Sequence, residues 1–105
     1  MRTHDQKPFF LSGAQRALTL QLQTKTENLS DLCYAYLFAV HYDRTGSIKV
    51  RFSFCSVLIE GQCLSDLHQG LAKHTVTFVR EADPERDIPE HGKVFVRAIS
   101  VCGGN

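Results

Sequence analysis

Residues 32–59 read LCYAYLFAVHYDRTGSIKVRFSFCSVLI: two β-rich runs, Leu32 to Tyr42 and Ile48 to Ile59, on either side of Asp43-Arg44-Thr45-Gly46-Ser47. β-Branched and aromatic residues dominate both runs and turn-forming residues lie between them, so the segment predicts a hairpin. Loop length decides which side chains face each other. A three-residue loop Arg44-Thr45-Gly46, with Gly46 in the left-handed position of a G1 bulge, sets Tyr42 against Ile48, Val40 against Val50, Phe38 against Phe52, Tyr36 against Phe54 and Leu32 against Leu58. A two-residue loop instead sets Val40 against Arg51 and Tyr42 against Lys49. The three-residue register is preferred, because apolar and aromatic cross-strand pairs stabilise a sheet.

In this register Tyr34, Tyr36, Phe38, Tyr42, Phe52 and Phe54 belong to an aromatic surface of the hairpin. The opposite face carries His41, Lys49 and Arg51 near the turn and Cys33, Ala35, Leu37, Val57 and Ile59 at the far end. The far end is therefore apolar on both sides, and a sheet buried on both sides needs two covers. One helix is available for one cover. The other is expected from the remaining strands folding over or from a second protomer.

Outward from the hairpin, Ala17 to Gln23 alternates, with Leu18, Leu20 and Leu22 on one side, and predicts a half-buried strand. Lys25 to Asp31 is polar and reads as a turn or short loop. Cys63 to His74 places Leu64, Leu67 and Leu71 at helical spacing with Ala72 completing the stripe, so one short amphipathic helix is expected. Gly70 inside it weakens it unless tertiary packing holds it. Thr75 to Arg80 and Lys93 to Val101 predict two more strands, joined by a long mixed-charge loop, Glu81 to Gly92. The expected fold is α+β over a single domain, residues 1–105: an antiparallel sheet of about five strands in the order β-β-β-α-β-β, with the helix on one face.

The composition is globular, with 43% hydrophobic and 22% charged residues among 105, and excludes a disordered or collagen-like chain. Twelve Lys and Arg against eleven Asp and Glu leave a formal charge of +1, too little for a general polyanion binder. No apolar run approaches a membrane span, and the opening MRTHDQKPFFLSG lacks a signal-peptide core, so a cytoplasmic protein with no membrane partner is expected. Cys33, Cys55, Cys63 and Cys102 show no paired spacing and are read as reduced, buried thiols.

Five constellations bear on chemistry. The aromatic face could stack nucleic-acid bases, but Lys49 and Arg51 alternate with the rings and point to the other face, so nucleic acid is disfavoured. His41, Lys49 and Arg51 form a candidate anion site, since Arg suits bidentate contact with carboxylate or phosphate. Cys63, His68 and His74 lack the close ligand pairs zinc uses, and no metal or cofactor is expected. Glu81, Asp83, Glu85, Asp87 and Glu90 do not meet the spacing of an EF-hand, and their segment is read as a solvated loop able to serve as a lid or contact surface. No nucleophile elbow, C-x-x-C or phosphate-binding Gly-rich loop is present, so the reading leans away from an enzyme.

The run Gly92-Lys93-Val94-Phe95-Val96 with the closing Gly103-Gly104 resembles the last strand and Gly-Gly tail of ubiquitin-like sulfur carriers, whose fold is the β-grasp. The resemblance covers only the end of the chain and Asn105 follows the glycines, so the preferred reading is a frayed glycine terminus. The function expected is a non-enzymatic binding or protein-interaction module acting as a homodimer, which would cover the second apolar face. The alternatives are a small-molecule pocket protein or small enzyme lined by Tyr34, Tyr36, Cys63 and His74, and an anion-binding or nucleic-acid-binding regulator using His41, Lys49 and Arg51.

Overall fold

A computed structural model describes residues 8–13, 15–26 and 28–103. Around the hairpin turn the expected register holds: Tyr42 faces Ile48, Val40 faces Val50 and Asp43 faces Ser47. Gly46 takes a φ of +120°, a conformation an L side chain rarely adopts. Beyond Ala39, still opposite Arg51, the register departs from expectation. Phe38, expected opposite Phe52, is bulged out of the ladder, and Leu37 stands opposite Phe52 instead. An extra residue on one strand re-aims the side chains that follow.

Neither long run is one strand. The strands are β1 (Phe9–Leu11), β2 (Thr19–Gln23), β3 (Leu29–Cys33), β4 (Leu37–Asp43), β5 (Ser47–Phe52), β6 (Cys55–Gln62), β7 (Val76–Arg80) and β8 (Phe95–Gly103), with helix α1 (Ser65–Ala72) before β7. A 3-10 turn at Tyr34–Tyr36 separates β3 from β4, and a bend at Ser53 and Phe54 separates β5 from β6. The fold is α+β, but the strands form two sheets of four. Sheet A has the order β1-β7-β2-β3 and sheet B the order β4-β5-β6-β8. Sheet A is mixed, because β2 runs parallel to β7. Leu32 faces Leu20 across sheet A, not Leu58.

Inward alternation explains β2, β5 and β6, while β7 buries residues three apart. Leu20 and Leu22 of β2 are buried, with Val76 and Val79 of β7, against Ile48 and Val50 of β5 and Val57 and Ile59 of β6 in one core. Each aliphatic side chain so buried contributes roughly 1.5–3 kcal/mol before entropy is counted. Leu18 precedes β2 and is 85% exposed, so the expected leucine stripe loses its first member. Sheet A and α1 thus cover the same, inner face of the hairpin, and its other face is left open to solvent.

Helix α1 packs chiefly on β4 of sheet B and β7 of sheet A, and inserts Leu67 and Leu71 into the core, with Leu64 at its N-cap. Ala72 is exposed. Gly70 is buried, and a Cβ there would lie 2.6 Å from Cγ2 of Val76. Close approach of helix and strand therefore requires the residue that weakens the helix in isolation. Cys63 and His74, expected inside the helix, flank it with positive φ values of 56° and 61°. At the far end of the chain β8 reaches Gly103, opposite Cys55. Gly104 and Asn105 of the glycine tail, like residues 1–7 of the opening segment with His4, lie outside the described residues.

One buried carboxylate joins the sheets. Glu81, just after β7, is 6% exposed. Its Oε1 accepts the backbone N–H of Lys25, beside β2, at 2.7 Å. Its Oε2 accepts the N–H of Ile99, in β8, at 3.0 Å. The next residue, Ala82, donates its N–H to the carbonyl of Val96 at 2.9 Å. Residues 81 and 82 therefore occupy part of the edge of β8 that no strand pairs among the described residues. A glutamine at position 81 could accept only one of these N–H groups and would turn its own NH2 toward the other. Glu81→Gln is expected to lower the unfolding free energy by about 1–3 kcal/mol, read from chemical denaturation.

Candidate functional site

The outer face of the β4–β5 hairpin assembles one of the residue sets marked in the sequence. His41 stands directly opposite Lys49 in the register, and Arg51 opposite Ala39. All three basic side chains are exposed. The bulge adds a residue that alternation assigns elsewhere: Phe38 is 63% exposed, and the Arg51 guanidinium lies 5.6 Å from its ring centroid. That distance is within cation–π range.

Expectation placed every ring of the hairpin away from the cations. It holds for buried Phe52 and half-buried Tyr42 but not for Phe38, because the bulge reverses its face. Tyr36 and Phe54 are also exposed, 55% and 45%. They meet edge to face at 5.8 Å at the same open end of the hairpin. The six aromatics are therefore not one surface. Asp43, the nearest acid in sequence, is committed to the turn. The Thr45 N–H donates to Asp43 Oδ1 at 3.0 Å and the Thr45 hydroxyl at 2.8 Å. These two bonds, helped by the nearby charge of His41, hold its carboxyl below the usual range.

The other marked set, Tyr34, Tyr36, Cys63 and His74, is brought together in part. Tyr34 and His74 do meet, stacked at 4.7 Å, and the buried Tyr34 hydroxyl donates to the carbonyl of Val76 at 2.6 Å. Burial pushes the phenol well above its ordinary range, more than the bond to Val76 lowers it. Tyr34 is thus a neutral structural donor. Tyr36 lies past the turn against Phe54, and Cys63 is exposed. His68 stacks on Tyr42 at 5.2 Å.

All four cysteines are free, but only Cys55 is buried, and desolvation raises its thiol. Cys63 and Cys102 are exposed, contrary to the expectation of four buried thiols. Among the described residues no three His, Cys, Asp or Glu side chains converge as metal ligands, and no helix is long and apolar enough to cross a membrane.

The acidic loop is built, not merely solvated. Asp83 Oδ1 accepts the N–H of Glu85 at 2.9 Å. Asp87 Oδ2 accepts the N–H of Asp83 at 2.7 Å and Nη1 of Arg80 at 3.0 Å. From β6, Gln62 Nε2 donates to the carbonyls of Glu90 and Lys93 at 2.6 and 2.9 Å. Beneath this loop is a cleft of about 550 Å³, bounded by Ala82, Arg86, Ile88, Lys93 and Phe95 among others. A smaller recess of about 270 Å³, reaching Lys25 and Arg97, adjoins it and shares Ala82, Asp87 and Phe95. Sequence reading missed this cleft. The available signal was Asp83-Pro84-Glu85, an acid able to bind its own backbone two residues on, which marks an ordered turn.

Comparison of the chain with family models, with curated proteins and with solved structures yields no match.

The loop anchor has a pH signature. Burial pushes the Asp87 carboxyl up, but the Arg80 hydrogen bond, the Asp83 N–H and the charges of Arg80 and Arg86 outweigh it, so its folded value lies below the ordinary one. A depressed carboxylate stabilises the fold above its unfolded value near ~3.9. That contribution is lost as pH falls through the lower folded value. Asp87→Asn is therefore expected to lower Tm at neutral pH and to leave a much smaller gap from the parent near pH ~2. Thermal denaturation at the two pH values checks this.

Proposed function

We propose that the chain is a non-enzymatic binding module, and that its ligand is single-stranded nucleic acid lying across the outer face of sheet B. One observation carries the proposal: the exposed Phe38 ring and the Arg51 guanidinium share a face with Lys49 and His41. Base stacking on an exposed ring beside cations that track phosphates is a sequence-tolerant mode of single-strand binding. Lys49 and Arg51 are two residues apart on one strand, about 7 Å along it, so they can follow an extended backbone. With a net charge of only +1, long-range steering is weak, and affinity must come from contacts on this face.

The homodimer has no part in the proposal, which assigns the open outer face of sheet B to the nucleic acid; sheet A and α1 cover the inner face within one chain. A pocket lined by Tyr34, Tyr36, Cys63 and His74 is also set aside. Tyr34 is committed to Val76, and none of the four lines either cleft.

The experiment is fluorescence anisotropy with labelled oligothymidylate and oligouridylate. Binding is expected to weaken with salt at a slope near −1.4 on logarithmic axes, for about two phosphates neutralised. Phe38→Ala is expected to weaken it about tenfold, from the loss of one stacked base, and Arg51→Ala comparably. Absence of binding at physiological salt, or a Phe38→Ala protein that binds like the parent, would overturn the proposal. So would preference for an acidic peptide over the oligonucleotides.

A further inference from the structure

We infer that the cleft beneath residues 81–94 is a second binding site, and that it takes a small aromatic carboxylate. Its volume of about 550 Å³ falls within the usual span for small-molecule sites. The wall is divided by chemistry. Ala82, Ile88, Val94 and Phe95 supply apolar surface, and Arg80, Arg86 and Lys93 supply cations, against the two carboxylates Asp87 and Glu90. The adjoining recess adds Lys25 and Arg97, the latter 3.8 Å from the Glu60 carboxylate. An apolar surface beside cations held in exposed ion pairs, which a ligand anion can displace, selects a ligand that is apolar at one end and anionic at the other.

The three cations differ in how far they are committed. Arg80 and Asp87, each 16% exposed, form a tight pair at 3.0 Å that shapes the cleft. Lys93 and Glu90 are 3.6 Å apart and 75% and 69% exposed, a screened pair that a ligand anion can displace at little cost. Arg86 touches Asp83 only through Nε, at 3.2 Å. Among the described residues its Nη groups have no partner, so one edge of the planar fork is open to a bidentate carboxylate. In this mode the ligand carboxylate lies on Arg86 with Lys93 beside it, and its ring lies against Phe95 and Ile88. This site uses none of the residues of sheet B that carry the nucleic-acid proposal, and the two stand or fall separately.

The test is an amide-resolved NMR titration of the full chain with naphthoate, repeated with naphthalenemethanol, which keeps the rings and lacks the charge. Saturable shifts are expected at residues 82–96, with the alcohol at least about tenfold weaker. Arg86→Glu, at a side chain 57% exposed, is expected to weaken naphthoate about tenfold or more, while Lys49→Glu on sheet B leaves it unchanged. The same spectra report whether each variant is folded. Equal binding of the alcohol, shifts centred elsewhere, an Arg86→Glu protein that binds like the parent, or no saturation would each overturn the assignment.

Discussion

The hydroxyl of Tyr34 on the carbonyl of Val76 spans forty-two positions of sequence and holds the turn on which the architecture rests. Without the corner at Tyr34–Tyr36, residues 29–43 would continue as one strand in one sheet. With it, β3 stays in sheet A beside β2, while β4 starts sheet B beside β5. The stacked His74 supports the same ring from the end of α1, where its carbonyl also accepts the N–H of Ala17. One aromatic side chain thus ties together the corner, the strand β7 and the segment entering β2. Because its phenol is buried and hydrogen-bonded, it stabilises this geometry as a neutral group, and burial raises its pKa.

The candidate surface follows from that corner. Entering sheet B directly from a 3-10 turn, β4 does not meet the register of β5 until Ala39, and the mismatch is absorbed as a bulge at Phe38. The bulge presents an aromatic ring beside Arg51 that strict alternation would have buried. Sheet A closes the inner face of sheet B, so the apolar side of the hairpin is consumed by the core and the mixed cationic and aromatic side is left to solvent.

A similar logic shapes the loop after β7. The chain leaves sheet A at Arg80 and must pass the open edge of β8. Glu81 answers the N–H of Ile99 with a carboxylate and Ala82 answers the carbonyl of Val96. Buried backbone groups need partners, and a side chain supplies one where a strand would otherwise add. Past that point Asp83, Asp87 and Gln62 organise the loop, and its curvature leaves the cleft with Phe95 in its wall.

How much of this was legible depends on the range of the interaction. Gly46 with its flanking residues decided the hairpin turn and the pairs Tyr42 with Ile48 and Val40 with Val50, because turn geometry and cross-strand contact are local. Leucine spacing located α1, alternation located β2 and most of β8, and the β-rich run Thr75 to Arg80 located β7. The His41, Lys49 and Arg51 group was also visible, because side chains that alternate on paired strands share a face. By itself, then, the sequence determined an α+β chain, its central turn and a cationic sheet face. Tertiary structure alone decided the division into two sheets, the parallel pairing of β2 with β7, the outward turn of Phe38, the burial of Glu81 and the cleft. Each of these rests on partners far apart in the chain, such as Tyr34 with Val76 and Glu81 with Ile99. Periodicity records only which residues prefer burial, not which distant backbone groups they must satisfy.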